Sequence, residues 1–364
     1  MKALLRGTGN KSNRTVEVPL PISEDSYETI IRDLSDLGMG SATVQDCLVA
    51  VVNGNYPILK RMEDTLVNID ELDYLANWLE TAPAAHVTAF QGLAAKHGTW
   101  RIQDFISLTQ CCHKATVITD FSNLENIGWM HYKTRCPNAD EQALRKVDPR
   151  AEALNLILNM AGAVTPYGVV YENGMDTELY RAYSGGPFPK CDRPGTVLRV
   201  IMSPRNVDWG SDTYLNLPVC DLRLKRALAR SGIRREEQEC IAVCCVSAPA
   251  YASELDYNKT TFEEWNALSW AISRLDDADK QKLGAVMEYA KPKTAERMMV
   301  LAEHLDLFTC KSAKVEEMRV TYHGERSLET LMHTSLSRAA TGQIHKMAQG
   351  ISAFANHSLQ ILCP

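Results

Sequence analysis

No run in this sequence approaches the roughly 18 to 20 apolar residues that a membrane-spanning helix requires, so no membrane partner is expected. The opening MKALLRGTGN has no apolar stretch of the secretory kind. A disulfide framework is missing as well: the eleven cysteines are odd in number and dispersed, with Cys111 and Cys112 adjacent and Cys244 and Cys245 adjacent. That usage belongs to a reducing compartment and points to the cytoplasm. Cys240-Ile241-Ala242-Val243-Cys244-Cys245 lacks the second ligand pair of a zinc site. Gly7-Thr8-Gly9-Asn10 lacks both the third glycine of a dinucleotide loop and a following lysine, and reads as a hairpin loop. No cofactor and no metal are therefore expected.

What is present is an ordinary globular composition, 45% apolar and 23% charged over 364 residues, enough for two or three cores. The net charge of −6 is unevenly placed. Residues 20 to 132 hold 15 acids against 6 bases, whereas residues 210 to 322 hold 18 against 16. An acidic balance argues against direct nucleic-acid binding, because phosphates must be met by Lys and Arg. It suits a protein partner with a basic surface.

The chain reads as an α+β protein. Residues 2 to 6 and 15 to 18 are short strands. Ser23 can cap a helix whose Tyr27, Ile30, Ile31, Leu34 and Leu37 point inward before Gly38 closes it. Cys47 to Val52 is a buried strand. A string of short helices follows from Asn68 to Tyr132, opened by the capping box Asn68 and Glu71, with a second box at Ser122 and Glu125. Phe90, Phe105 and Trp129 belong to its core.

The same order returns after about 193 residues. Leu224, Arg226, Leu228 and Gly232 stand 194 places after Ile30, Arg32, Leu34 and Gly38. The difference is 193 for Gln45-Asp46-Cys47 with Gln238-Glu239-Cys240, for Asp70-Glu71 with Glu263-Glu264, and for Leu108 with Leu301. Thr261 and Glu264 restate the capping box. The expected architecture is two tandem copies of a small antiparallel sheet plus helix followed by a short-helix bundle, elongated. The first copy spans residues 1–135 and the second 197–322. Between them, 136–196 is a connector with a helix from Ala151 to Met160, a strand from Tyr167 to Tyr171, a tight turn at Glu172-Asn173-Gly174 and a hinge at SGGPFPKCDRPG. Residues 323–364 form an atypical tail rich in Ser, Ala and His.

A nucleophilic enzyme would need Cys112, His113 and Asp120 to converge, but neighbours in sequence point apart and no elbow is evident, so the expectation is a non-enzyme. The carboxylates carry more. Glu24, Asp25, Glu28, Asp33 and Asp36 belong to the first helix, Asp70, Glu71, Asp73 and Glu80 to the second, and Asp104, Asp120 and Glu125 follow. Most lie off the apolar stripes and are expected at the surface, where the bland alternative is a solvated face.

The strings Glu71-Leu72-Asp73-Tyr74-Leu75-Ala76, Ile106-Ser107-Leu108-Thr109 and Asp120 with Leu124, Ile127 and Gly128, with Phe90 between, resemble the helical core of ArdA antirestriction proteins. Thr165-Pro166-Tyr167-Gly168-Val169-Val170-Tyr171 resembles the connector of long, tandem ArdA-like proteins of Gram-positive mobile elements. The resemblance spans roughly residues 1 to 322. It implies an acidic mimic of DNA that occupies the DNA groove of a type I restriction-modification enzyme, or of another bacterial nuclease such as a CRISPR effector. The twelve carboxylates named above are then the partner-binding surface. Arg223, Lys225, Arg226, Arg230, Arg234 and Arg235 would repel a basic cleft, which places mimicry in the first copy. The alternative is an interaction or scaffolding module on the same fold without DNA mimicry. A homodimer is left open.

Overall fold

A computed structural model describes residues 1–7, 14–173, 182–204, 213–232, 238–245, 262–314 and 317–333. The chain divides into two compact units, Met1–Cys191 and Asp192–Pro364.

Unit 1 begins with an antiparallel sheet of β1 (Lys2–Gly7), β2 (Thr15–Pro19), β3 (Cys47–Asn53) and β4 (Leu66–Val67), in the order β2-β1-β3-β4. Alternation sends Ala3, Leu5, Val18 and Val49 inward, and a register shift opposite Leu4 and Leu5 returns Val52 to the same side. The amphipathic helix α1 (Glu24–Ser35) contributes Tyr27, Ile30, Ile31 and Leu34 to the same core. Gly38, at φ +72°, takes a left-handed conformation just after it. Ser23 sits at the N-cap but does not cap through its side chain.

Three helices follow: α2 (Ile69–Thr81), α3 (Ala84–Lys96) and α4 (Ile102–Cys111). Trp78, Phe90 and Phe105 link them, with ring centroids 5.2 and 5.7 Å apart on either side of Phe90. A 3-10 turn, Cys112–Lys114, leads into β5 (Ala115–Ile118). Then come α5 (Leu124–Arg135), α6 (Glu141–Arg145) and α7 (Pro149–Asn159). Asn123, rather than Ser122, caps α5 by accepting from the Asn126 N–H at 3.0 Å. Pro149 at the first turn and Asp148 at the cap start α7.

Residues 136 to 191, most of the expected connector, are part of unit 1. β6 (Ala163–Thr165) and β7 (Gly168–Glu172) form a hairpin that closes at Pro166 and Tyr167, and β7 pairs with β5. The expected turn after Glu172 includes Gly174, which lies outside the described residues. The SGGPFPKC part of the expected hinge packs down: Phe188 stacks on Tyr74 at 5.0 Å, Tyr183 on Phe188 at 5.9 Å, and Cys191 is buried.

Unit 2 repeats the order. β8 (Leu198–Pro204), β9 (Thr213–Leu217) and β10 (Gln238–Cys245) form a sheet ordered β10-β8-β9, matching β3-β1-β2. α8 (Asp221–Arg230) corresponds to α1, and α9 (Phe262–Ser273), α10 (Asp277–Ala290) and α11 (Ala295–Glu303) to α2, α3 and α4. These three start at 262, 277 and 295 against 69, 84 and 102, a constant difference of 193, which the turn at 305 and β11 (Phe308–Lys314) continue. α8, however, starts 197 residues after α1, while the left-handed Gly232 follows Gly38 by 194. The second copy thus drops three residues, about one turn, within this helix, and the equivalence of Leu224 with Ile30 holds only from its closing end. Where unit 1 continues into α5, β11 instead turns back through β12 (Glu317–Tyr322), and α12 (Leu328–Met332) buries Leu331. Thr261 and residues 334–364 lie outside the described residues.

Candidate functional site

The outward face of α1 carries a row of carboxylates. Asp25, Glu28, Asp33 and Asp36 are exposed, Glu24 is half-buried, and the exposed Arg32 interrupts them. From Asp25 to Asp36 a helix advances about 16 Å at ~1.5 Å per residue. A DNA strand presents about five phosphates over that length, at ~3.4 Å each. Four carboxylates against one arginine make this row sparser in charge than the phosphates of one strand, though of the same sign and reach.

The other expected surface acids do not form one row with it. Glu80 is exposed near the end of α2, Glu125 in the first turn of α5, and Asp104 half-buried in the first turn of α4. Asp120 is exposed on the loop after β5, where the Ser122 N–H and hydroxyl both donate to it at 2.8 Å. Those bonds hold its carboxyl below the usual carboxylate range.

Asp70, Glu71 and Asp73 correct the expectation of a carboxylate surface on α2: they are 8%, 1% and 2% exposed. Every residue of α2 from Ile69 to Leu79 is buried. Stripe reasoning assumes a helix with one wet face, and α2 has none. Its carboxylates serve as internal acceptors. Tyr27 Oη–H donates to Asp70, and the Ile22 N–H donates to Asp73 at 2.6 Å. Glu71 accepts from Gln45 Nε2 at 2.9 Å and from Tyr183 Oη at 3.2 Å. Asn68 caps α2 by accepting from the N–H groups of Asp70 and Glu71. Acids at a helix start also suit the helix dipole, and buried polar atoms need such partners.

The second copy identifies Asp73 as structural. Asn266, 193 places on, accepts from the Val219 N–H at 2.9 Å, the counterpart of Ile22 donating to Asp73. Asn266 Nδ2 also donates to the Val219 carbonyl at 2.8 Å. An amide performs the bond without charge, so the position requires an acceptor, not an anion. Asp73 facing Asn266 in the repeat was the sequence signal that could have shown this. Tyr27, Gln45 and Tyr183 left no comparable mark, being ordinary core or loop residues in the sequence.

The cationic residues of α8 are also less exposed than the sequence implied. Arg226 and Arg230 are 8% and 6% exposed, Arg223 is half-buried, and Lys225 is exposed. Arg234 and Arg235 lie outside the described residues.

The candidate nucleophile Cys112 opens the 3-10 turn after α4. Its side chain is buried, its Sγ lies 3.9 Å from the Thr109 carbonyl, and burial pushes its thiol far up, with Cys111 adding to the effect. His113 is exposed beside His86, the ring centroids 6.2 Å apart. Among the described residues no three His, Cys, Asp or Glu side chains form a group that could hold a metal ion. No helix among them is long and apolar enough to cross a membrane.

Comparison with protein families, with curated proteins and with solved structures finds no match to this chain.

Proposed function

We propose that this protein is a non-enzymatic anti-defence protein that binds the DNA-binding cleft of a bacterial type I restriction-modification enzyme through the carboxylate face of α1. The observation that carries this is the row of exposed Asp25, Glu28, Asp33 and Asp36, with Glu24 beside it. Each can accept charge-assisted hydrogen bonds from the Lys and Arg that otherwise meet phosphates. No bond is made or broken: inhibition is occupation of the cleft, favoured by electrostatic steering and weakened by salt. The buried Asp70, Glu71 and Asp73 shape the unit and take no part in contact. Exposed Glu80, Asp120 and Glu125 add to the general negative field.

A protein-interaction module without DNA mimicry is the second reading. It is favoured by Leu154, Leu158 and Val164, which are 45%, 74% and 86% exposed on α7 and β6.

Plating of unmodified phage on cells that restrict it tests the proposal. Expression of the full chain should raise plating efficiency, and Asp25→Asn, Glu28→Gln, Asp33→Asn and Asp36→Asn together should remove the effect. The same pair tested against CRISPR interference identifies which class of nuclease is the target. Full protection by the neutralised variant in both assays would favour the apolar surface on α7 and β6.

A further inference from the structure

An open pocket of about 620 Å³ lies where the Cys112–Lys114 turn, α5, α7 and the end of β7 meet. His113, Lys114, His131, Arg135, Asn155 and Asn173 are among its lining residues. A chain of polar groups extends into the protein behind this wall. Asn173 Nδ2 donates to Thr116 Oγ1 at 2.7 Å, and Thr116 Oγ1 lies 3.4 Å from His131 Nδ1. On the other side of the ring, His131 Nε2 lies 3.5 Å from Glu152 Oε1, which Arg135 Nη1 holds at 2.7 Å. Thr116 and His131 are each 1% exposed. Burial lowers the basicity of His131, so its ring is neutral at neutral pH, with Thr116 Oγ1 beside Nδ1 and Glu152 beside Nε2.

One feature of this arrangement is unspent. Lys114 is half-buried and pairs with no carboxylate among the described residues. The repeat fold does not demand this lysine. At the positions of His113 and Lys114 the second copy has Asp306 and Leu307, and it forms the same turn and the same following strand.

We infer that this pocket binds a small molecule carrying one oxyanion group, which meets Lys114 and Arg135. The volume lies within the ~300 to 1,000 Å³ of small-ligand sites. Glu152 cancels part of the charge of Arg135 and leaves Lys114 as the anchoring cation, which favours a singly or doubly charged group over a polyanion. This site is separate from the α1 face, and its failure would leave the anti-restriction proposal untouched.

Calorimetric titration of the full chain at low salt tests it, with glycerol 3-phosphate as the phosphate arm, glycerate as the carboxylate arm and glycerol as the uncharged control. One of the two anions should bind one to one while glycerol does not, and the tighter arm names the oxyanion. Lys114→Gln should weaken binding at least about tenfold, and Asn173→Asp should abolish it by placing a second anion at the wall. Lys133→Gln, a charge change outside the pocket lining, should not alter it. Circular dichroism of each variant separates loss of binding from loss of fold, and if Lys114→Gln does not fold, Lys114→Met is read in its place. Absence of binding by either anion at millimolar concentration, or equal binding by the Lys114 variant and the wild type, would overturn the inference.

Discussion

Asp73 and Asn266 accept from the same backbone position in two copies of one fold, and this decides what each substitution should do. Asp73→Asn keeps the acceptor for Ile22 and should change the urea midpoint little. Asp73→Ala leaves a buried N–H unpaired and should cost about 1–3 kcal/mol. Neither should weaken binding of a nuclease beyond what unfolding explains. His131 gives a pH-dependent counterpart. Its folded pKa lies below the ordinary histidine value because of burial, so its contribution is present above about pH 6.5 and is lost as pH falls below that. The sign follows from proton uptake by the unfolded chain first. His113, though exposed over much of its surface, is shifted the same way, first by partial desolvation of its ring and then by His86 and Lys114. Urea unfolding across this range should show stability falling toward acid, with a shallower fall in His131→Gln. Equal slopes in both proteins would show that His131 is not the responsible group.

Among the elements, α2 and α5 separate what the sequence displayed from what it concealed. The start of α2 was legible because Asn68 is a strong cap, but its burial on every side was not, since its carboxylates resemble a wet face until Tyr27, Gln45 and Tyr183 arrive from distant sequence. The pairing of β5 with β7 was hidden for a similar reason: two short strands meet across more than fifty residues, and neither carries a partner-specific signal. Gly128 on α5 was part of a recognised string, and the structure supplies its cause. A Cβ there would lie 1.7 Å from the Pro149 carbonyl oxygen, where α5 meets the start of α7. Gly128→Ala should therefore exceed the ordinary overpacking cost of about 1–3 kcal/mol, as measured by denaturant unfolding, because backbone rather than a side-chain tip must move. The exposed face of α1, by contrast, should accept Asp25→Asn, Glu28→Gln, Asp33→Asn and Asp36→Asn with changes within ~0.5 kcal/mol, since these side chains project into water.

For the whole molecule, the duplication was the feature most fully written in the sequence. The constant difference of 193 residues survives in the helices, the 3-10 turn and the following strand because those elements share one packing plan. The boundary was misplaced because residues 136–191 look like linker by composition, with their Gly and Pro, although they provide β7 against β5, Tyr183 against Glu71 and Phe188 against Tyr74. A fragment of residues 1–191 should unfold in one cooperative transition. Residues 1–135 alone would leave Glu71 without Tyr183 and β5 with an open edge, and should show no cooperative transition by circular dichroism or calorimetry. A sharp transition in the shorter fragment would place the boundary at the earlier position after all.

The central claim, that exposed carboxylates of α1 substitute for DNA phosphates, is tested most directly by the salt dependence of binding to a purified type I restriction-modification enzyme. The affinity of the wild-type chain should fall steeply with rising salt, and the variant neutralised at Asp25, Glu28, Asp33 and Asp36 should bind far more weakly with a flatter dependence. Tight binding that ignores salt, or equal binding by the neutralised variant, would contradict it.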